Sequence, residues 1–347
     1  MRRGLALLLA GIGFCLAGAW LFQWAITTTV DRPSQGVPKI IEIPEGMTLR
    51  QVAALLQREH LLWNQWGLLL LGKLTASDRR IVAGEYALRS DMSPRDMLAE
   101  LRNGHVVLHP VTIPEGYTAA QIAELLDQNG VSEGKEFLRL VHDRAFIQTL
   151  SLQADSLEGY LFPSTYRLAR RVKNKDVIAT MVSSLRQVFT PELQARAKEV
   201  NMSVHDVLTL ASVIEKESGV ESERELVSAV FHNRLRQHIP LQSDPTVIYG
   251  IRNFDGNLTK RDLADAGPYN TYRITGLPPG PIANPGVGAI RAALYPAPTT
   301  YLYFVSRNDG THQFSSTLAE HNRAVEQYQR RPHRRTAKHM SSTRGGT

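Results

Sequence analysis

Only one of the 347 residues is a cysteine, Cys15, and it lies inside an apolar N-terminal stretch. No disulfide can form within one chain, and no cysteine-based metal site is available. Other signatures are missing too. There is no Walker loop, no dinucleotide-binding glycine pattern after a strand, no HExxH and no G-x-S-x-G. The 11 histidines are scattered without ligand spacing. A metal or nucleotide enzyme is therefore unsupported, and no cofactor is expected. The composition shows no bias of its own: 43% of residues are hydrophobic and 21% charged, as in ordinary packed proteins. The length suits about two domains, each able to hold together by its core alone.

Acids are absent from the C-terminal end. Arg330, Arg331, Arg334, Arg335, Lys338 and Arg344 stand among residues 330–347 without one Asp or Glu, and they supply much of the net charge of +7. This reads as a solvated, disordered tail; weak attraction to anionic lipid or cell-wall polymer is the other reading. No aromatics interleave with these charges, so nucleic-acid binding is not expected. At the other end, Gly4 to Val30 contains no charged side chain over 27 residues, and about 20 suffice to cross a bilayer as a helix. Arg2 and Arg3 precede this stretch and Asp31 follows it, which puts the N-terminus in the cytoplasm and the body outside. Trp20 and Trp24 fall near its outer end. Ala17-Gly18-Ala19 resembles a signal-peptidase site, but the apolar run continues past it, which favours an uncleaved anchor. Either way the body is exported.

After a linker at residues 31–39, the chain repeats itself. Ile41 begins IEIPEGMTLRQVAALL and Val111 begins VTIPEGYTAAQIAELL, with Ile43/Ile113, Pro44/Pro114, Glu45/Glu115 and Gly46/Gly116 each 70 apart. Each copy reads as a strand, a Pro-Glu-Gly turn, a Thr N-cap (Thr48, Thr118) and an amphipathic helix. Between them, Asn64 to Leu74 reads as helix, Gly84 to Leu88 as strand, and Ser93 as the cap of a helix from Pro94 to Arg102. Strand-helix-helix-strand is the outline of a LysM-like carbohydrate module. From Asn174 the pattern turns helical, with segments at Asp176–Gln187, Pro191–Val200, Val204–Ser218 and Glu223–Arg236. Gly276 to Gly288 is too rich in Pro and Gly for regular structure. Tyr301 to Phe314 reads as a hairpin about Asp309-Gly310, and a last helix as Thr317 to about Gln329.

Chemistry could sit at the end of one of these helices. Ser203 and Asp206 have capping-box spacing, and Val207, Leu208, Leu210, Ala211, Val213 and Ile214 then leave no polar face, so the helix is buried. It ends in Glu215 and Glu217. A carboxylate there is partly desolvated, which raises its pKa toward general-acid duty. Periodicity alone favours the other reading, that both glutamates simply return to solvent where the helix emerges. They lie about 200° apart on a helix, and periodicity does not choose between them. A second polar cluster runs from Leu241 to Thr246, where Asp244 could do no more than cap a helix that has Pro245 at its first position. The run Pro268-Tyr269-Asn270-Thr271-Tyr272 leads into the proline-rich loop. Tyrosine rings and amides in an extended loop suit a sugar-binding groove.

Taken together, LEGYLFPSTY (Leu157–Tyr166), LASVIEKES (Leu210–Ser218), SAVFHNRL (Ser228–Leu235), LQSDPTVIYG (Leu241–Gly250), YNTYRITGLPPGPIANPG (Tyr269–Gly286) and YLYFV (Tyr301–Val305) resemble the YceG-like endolytic murein transglycosylases, the MltG family. The likeness spans roughly residues 40 to 328. It implies that the second Glu of E-K-E, Glu217, is the catalytic acid/base; the resemblance and not the helix geometry selects it over Glu215. Beside it, Gln242, Asp244, Tyr269, Asn270 and Tyr272 are expected as groove residues, with no metal. The likeness implies cleavage of the MurNAc-β-1,4-GlcNAc bond without water, giving 1,6-anhydro ends on peptidoglycan glycan strands. It further implies an inner-membrane setting near peptidoglycan synthases, the penicillin-binding proteins. The expected architecture is α+β: a transmembrane helix at 4–30, a LysM-like module at 40–110, a second α+β segment at 111–170 and a mainly helical catalytic domain with a β-hairpin at 171–329. Two rivals stand beside this reading. One is a hydrolytic muramidase with Glu217 as acid and Asp244 as base; the other is a membrane-anchored glycan-binding scaffold without catalysis.

Overall fold

The computed structural model describes residues 2–30, 36–76 and 81–330, with side chains on the first helix from Gly11 onward, residue 22 excepted. The basic tail from 331 and linker residues 31–35 lie outside the described residues. The architecture is α+β, with helices and small two-stranded sheets. The chain divides into two compact units, one of Met1–Pro110 with Arg167–Val172 and one of Val111–Tyr166 with Lys173–Thr347.

The first unit holds α1 (Arg2–Thr27), β1 (Lys39–Ile43), α2 (Leu49–Arg58), α3 (Trp66–Leu74), β2 (Gly84–Leu88) and α4 (Pro94–Asn103). Strands β1 and β2 run antiparallel, with Ile41 opposite Tyr86 and Lys39 opposite Leu88. Alternation turns Ile41, Ile43, Tyr86 and Leu88 inward. They meet Val52, Leu56, Leu68, Met97 and Leu101 in one core, which Ile26 of α1 joins. Thr48 starts α2 with a capping box: the Gln51 N–H donates to its hydroxyl, and Gln51 Oε1 accepts from the Thr48 N–H at 2.9 Å. Ser93 caps α4, and Gly104, at φ +70°, ends it in the left-handed conformation. The apolar stretch expected to span a membrane begins at Gly4, partly outside the described side chains. Among the described residues no helix is long and apolar enough to cross a membrane.

The chain continues through β3 (His109–Thr112), α5 (Ala119–Gln128), α6 (Gly134–Val141), α7 (Arg144–Thr149) and β4 (Thr165–Leu168). The second copy of the repeat thus opens on a strand, a turn and a capped helix, as the first does. The Thr118 N–H donates to Gln121 Oε1 at 2.9 Å. Strand β3 pairs with β4, and the Ile113 N–H donates to Ser164 O at 2.9 Å. Then come α8 (Asn174–Val188), α9 (Pro191–Glu199), α10 (Val204–Glu217), α11 (Arg224–Arg236), α12 (Asp244–Gly250), α13 (Lys260–Ala264), α14 (Val287–Leu294), β5 (Tyr303–Ser306), β6 (His312–Ser315) and α15 (Leu318–Val325).

Helix α10 is the axis of the second unit. Every residue from Val207 to Ile214 is buried, and the helix packs against α9, α11, α12 and α14. Each large aliphatic side chain removed from water here stabilises by about 1.5–3 kcal/mol. The two hydroxyls inside this run are satisfied: Thr209 donates to His205 O at 2.8 Å, and Ser212 donates to Thr209 O at 2.7 Å. Ser212 also accepts the Ile282 N–H at 3.0 Å, which ties the proline-rich loop to α10. That loop is irregular as far as Gly286, but α14 starts at Val287, within the stretch read as irregular. The last helix is shorter than its pattern suggests, since α15 passes into a π turn at Glu326–Arg330. Helices α6, α7 and α13 and strand β4 were not read from the sequence. Three of these four are only 4–6 residues long, too short for periodicity to register.

Candidate active site

The two glutamates at the end of α10 meet opposite environments. Glu215 is fully engaged. Its Oε2 accepts the Gly286 N–H at 2.9 Å, and its Oε1 accepts from Arg224 Nη2 at 3.2 Å. Arg224 Nη2 also reaches Glu115 of the second Pro-Glu-Gly turn at 3.3 Å. Burial lifts the Glu215 pKa, and the Gly286 amide and Arg224 act against that rise.

Glu217, the last residue of α10, is half-buried and lines a cavity of about 240 Å³. Its pKa is also raised, first by desolvation and then by the neighbouring Asp244; the hydrogen bond from Ser243 is the main opposing influence. That bond is short, with Ser243 Oγ donating to Glu217 Oε1 at 2.6 Å. Ser243 is itself buried and fixed, since its N–H donates to Thr271 Oγ1 at 2.9 Å. The next residue toward the N-terminus, Gln242, takes φ +54°, which costs a side-chain-bearing residue about 1–2 kcal/mol. Its N–H donates to Thr271 O at 3.0 Å, so both residues are pinned to the loop at 271. The strain is stored where the chain must turn the Ser243 hydroxyl toward Glu217.

The remaining walls bring charge and apolar surface. Asp244 opens α12 with Pro245 in its first turn, and Ser243, not Asp244, occupies the cap position. The Tyr272 hydroxyl donates to Asp244 Oδ1 at 2.7 Å. Burial first, and then Asp244, push the Tyr272 phenol well above its ordinary range, so it stays protonated as a donor. Arg234 from α11, Leu241, Phe304 of β5 and His321 of α15 complete the cavity. Such a site can hold a proton on a carboxyl group that faces an open cavity. Among the described residues no group of three or more His, Cys, Asp or Glu is placed to hold a metal ion.

Of the expected groove residues, Gln242, Asp244 and Tyr272 line the cavity with Glu217. Asn270 and Tyr269 do not. The Asn270 side chain is buried; its Nδ2 donates to Asp265 O at 2.6 Å, and its Oδ1 accepts the Tyr272 N–H at 3.0 Å. It shapes the loop that carries Tyr272. Tyr269 packs on Tyr249, ring centroids 4.9 Å apart, and lines two other cavities. Ser243, Arg234, Phe304 and His321 were not singled out from the sequence. The first three lie in the quoted motifs. His321, on an otherwise ordinary amphipathic helix, gave no local signal.

The sequence profile of the YceG-like family matches residues 41–327. This chain belongs to the YceG-like family. It is 31% identical to the endolytic murein transglycosylase of Bacillus subtilis, over 90% of this chain and 91% of that one. It is 30% identical to the endolytic murein transglycosylase of Streptococcus pneumoniae D39, over 83% of this chain and 58% of that one. A crystal structure of a YceG-like protein from Listeria monocytogenes superposes with a TM-score of 0.58 at 32% identity, covering 82% of this chain and 98% of the other. Five of the six segments that carry the resemblance meet at the cavity beside Glu217. Leu210–Ser218 supplies Glu217 at the end of α10, and Ser228–Leu235 supplies Arg234 on α11. Leu241–Gly250 supplies Ser243 and Asp244, Tyr269–Gly286 supplies Tyr272, and Tyr301–Val305 supplies Phe304.

Proposed function

We propose that this chain is a peptidoglycan lytic transglycosylase and that Glu217 carries both proton transfers. The protonated carboxyl donates its proton to the glycosidic oxygen between MurNAc and GlcNAc, and the C1–O4 bond breaks. The carboxylate then takes the proton from the C6 hydroxyl of the same MurNAc, whose oxygen closes on C1 as a 1,6-anhydro ring. No water is consumed, and Glu217 ends protonated as it began. One carboxyl suffices because the nucleophile is intramolecular. The observation that carries this reading is a desolvated glutamate facing an open polar cavity while its neighbour Glu215 is sealed. Ser243 would hold the carboxyl in place through both steps and stabilise its anionic interval.

The body would work outside the cytoplasm, tethered by residues 4–30 to the inner membrane near the synthases that make its substrate. In support, α1 exposes Ile12, Phe14, Leu16, Trp20, Leu21 and Trp24. The β1-α2-α3-β2 arrangement supports a LysM-like glycan-binding role for residues 40–110. A hydrolytic variant of the mechanism draws on Asp244, which lines the same cavity and could activate water.

Digestion of isolated sacculi followed by mass analysis of the products tests the proposal. Wild-type protein should release anhydro ends, lighter by one water than a hydrolase's. Glu217→Gln should lower the rate by a factor on the order of 10² or more, with thermal stability retained. Products carrying the extra water would establish the hydrolytic alternative. Full activity in Glu217→Gln would overturn the role given to Glu217, and no product from wild-type protein would leave only a scaffold. Because the acid must begin protonated, activity should decline as pH rises through the elevated Glu217 pKa.

A further inference from the structure

All four tryptophans of the chain, Trp20, Trp24, Trp63 and Trp66, are exposed. Two stand on α1 and two at the start of α3, and these helices touch. Tryptophan is highly buried on average in folds surrounded by water, so four in the open call for a covering. Their exposure is built into the first unit. Trp63 Nε1 donates to Thr29 O at 2.8 Å, and Asn64 Oδ1 accepts the Trp66 N–H at 3.1 Å, which fixes the start of α3. Helix α3 then packs on α1 at close range: a Cβ on Gly67 would come within 2.4 Å of Ala25 O.

The outer face of α3 is apolar where a surface helix is normally polar. Its sequence is WGLLLLGKL. Leu68 and Leu71 are buried, while Trp66, Leu70 and Leu74, spaced by four, form one exposed stripe. Lys73 is the single charge on the helix and is exposed. Helix α1 points to what covers the stripe. Apart from residue 22, its described side chains from Gly11 to Trp24 are exposed. It enters the unit only at Ala25, with Ile26 in the core and the Val30 N–H donating to Ser90 O at 2.9 Å. Before that point the charge-free run from Gly4 to Gln23 is 20 residues, about 30 Å of helix, which is the thickness of a bilayer's hydrocarbon core. Where α1 joins the unit is therefore where such a helix would leave the hydrocarbon.

We infer that α3 lies in the outer headgroup layer of the bilayer, its stripe of Trp66, Leu70 and Leu74 in contact with lipid, so that the first unit rests on the membrane surface beside α1. This rests on the anchor reading above and goes beyond it, since it adds a second contact that runs along the bilayer and not through it. Indoles favour that layer, where the ring is in apolar surroundings and the N–H is wet. Lys73 carries the sign that anionic headgroups attract. The stripe is continuous with the apolar surface of α1. A protein partner would cover an apolar stripe equally well, but it gives no reason for every tryptophan to gather at the level where α1 meets the unit. Two contacts hold the β1–β2 sheet at a fixed height above the lipid, whereas α1 alone would let the unit tilt with it.

Tryptophan emission tests this in the full-length protein. It is reconstituted in vesicles of phosphatidylethanolamine and phosphatidylglycerol whose acyl chains carry bromine near the headgroup, a contact quencher of indole, and in the same vesicles without bromine. Trp20→Phe with Trp24→Phe leaves emission from Trp63 and Trp66 alone; Trp63→Phe with Trp66→Phe leaves emission from α1 alone. All four residues are exposed, so neither pair of changes disturbs the core. Trp63 and Trp66 should lose a fraction of their intensity comparable with that lost by Trp20 and Trp24. Adding Leu70→Glu and Leu74→Glu to the first variant should remove most of that loss; quenching that persists overturns the role of the stripe. Unquenched emission from Trp63 and Trp66 beside quenched emission from α1 overturns the inference and leaves the anchor standing. Unquenched emission that shifts to the red as the protein is diluted into excess lipid identifies a second copy of the chain as the cover, which also overturns it. Failure of the anchor reading looks different: Trp20 and Trp24 would then be unquenched as well.

Discussion

The same turn occurs twice in this chain, and the two copies differ in everything except local geometry. Pro44-Glu45-Gly46 and Pro114-Glu115-Gly116 both place glycine in the left-handed region, at φ +82° and +74°, and both lead to a Thr–Gln capping box. In the first copy the turn is exposed, and a Cβ on Gly46 would meet nothing within 4 Å. In the second, Gly116 is buried and a Cβ would touch Glu215 Cγ at 3.4 Å. Glu115 shares Arg224 with Glu215, and Gly116 O accepts from Lys216 Nζ at 3.4 Å. The N–H of Ala119, the first residue of α5, donates to buried Glu158 at 3.0 Å. One sequence element thus serves as a plain surface turn in one unit and as a brace for α10 in the other.

The comparison can be broken most severely at Arg224. Arg224→Met strands the buried Glu215 carboxylate and should cost about 3–5 kcal/mol in chemical denaturation, as single removals from buried pairs do. Arg224→Met with Glu215→Gln should recover most of that loss. If Arg224→Met is as stable as wild type, the bracing role is wrong.

The next largest effect depends on pH. Burial outweighs the hydrogen bonds to Glu158 from Ala119, Tyr249 and Asn284, and raises its pKa from 4.5 to about 7. A folded-state pKa above the unfolded one means that this group's stabilising contribution is complete below about pH 4.5. It is lost as pH rises through about 7, in total about 3 kcal/mol. Melting temperature measured from pH 4.5 to 8 should fall accordingly in wild type and flatten in Glu158→Gln; a parallel decline in both would remove Glu158 as the cause.

Smaller effects separate the two turns directly. Gly46→Ala should cost about 1 kcal/mol, the left-handed penalty alone. Gly116→Ala should cost more, because it also presses on Glu215. Amide hydrogen exchange should locate the first loss in α2 and the second in α5; equal and diffuse effects would erase the distinction. The smallest effect is expected from Glu45→Gln, whose exposed side chain should leave melting temperature and activity unchanged.

Much of the fold was legible because it is written in local chemistry. Caps at Thr48, Ser93, Thr118 and Ser203 lie where their side-chain spacing put them, and α10 is as buried as its unbroken apolar run required. Short helices escaped notice because four to six residues carry no readable period. The site was legible only in part. Glu217, Asp244 and Tyr272 stand in sequence motifs, but Tyr269 and Asn270, also in a motif, face elsewhere. An extended loop exposes its residues in directions that sequence spacing does not encode. Glu158, inside Leu157–Tyr166, drew no attention, since its partners lie 39, 91 and 126 residues away.

By itself the sequence determined the helix starts, the left-handed glycines, the apolar course of α10 and membership of the YceG-like family, because each depends on residues near one another or on a motif as a string. The tertiary structure alone decided which glutamate is sealed and which is open. Two carboxylates two residues apart have nearly the same neighbours in sequence. What separates them is Gly286 and Arg224 arriving at one, and Ser243 with a cavity arriving at the other. Desolvation and charge act through space over a few ångströms, and only the folded chain fixes which groups lie within that distance.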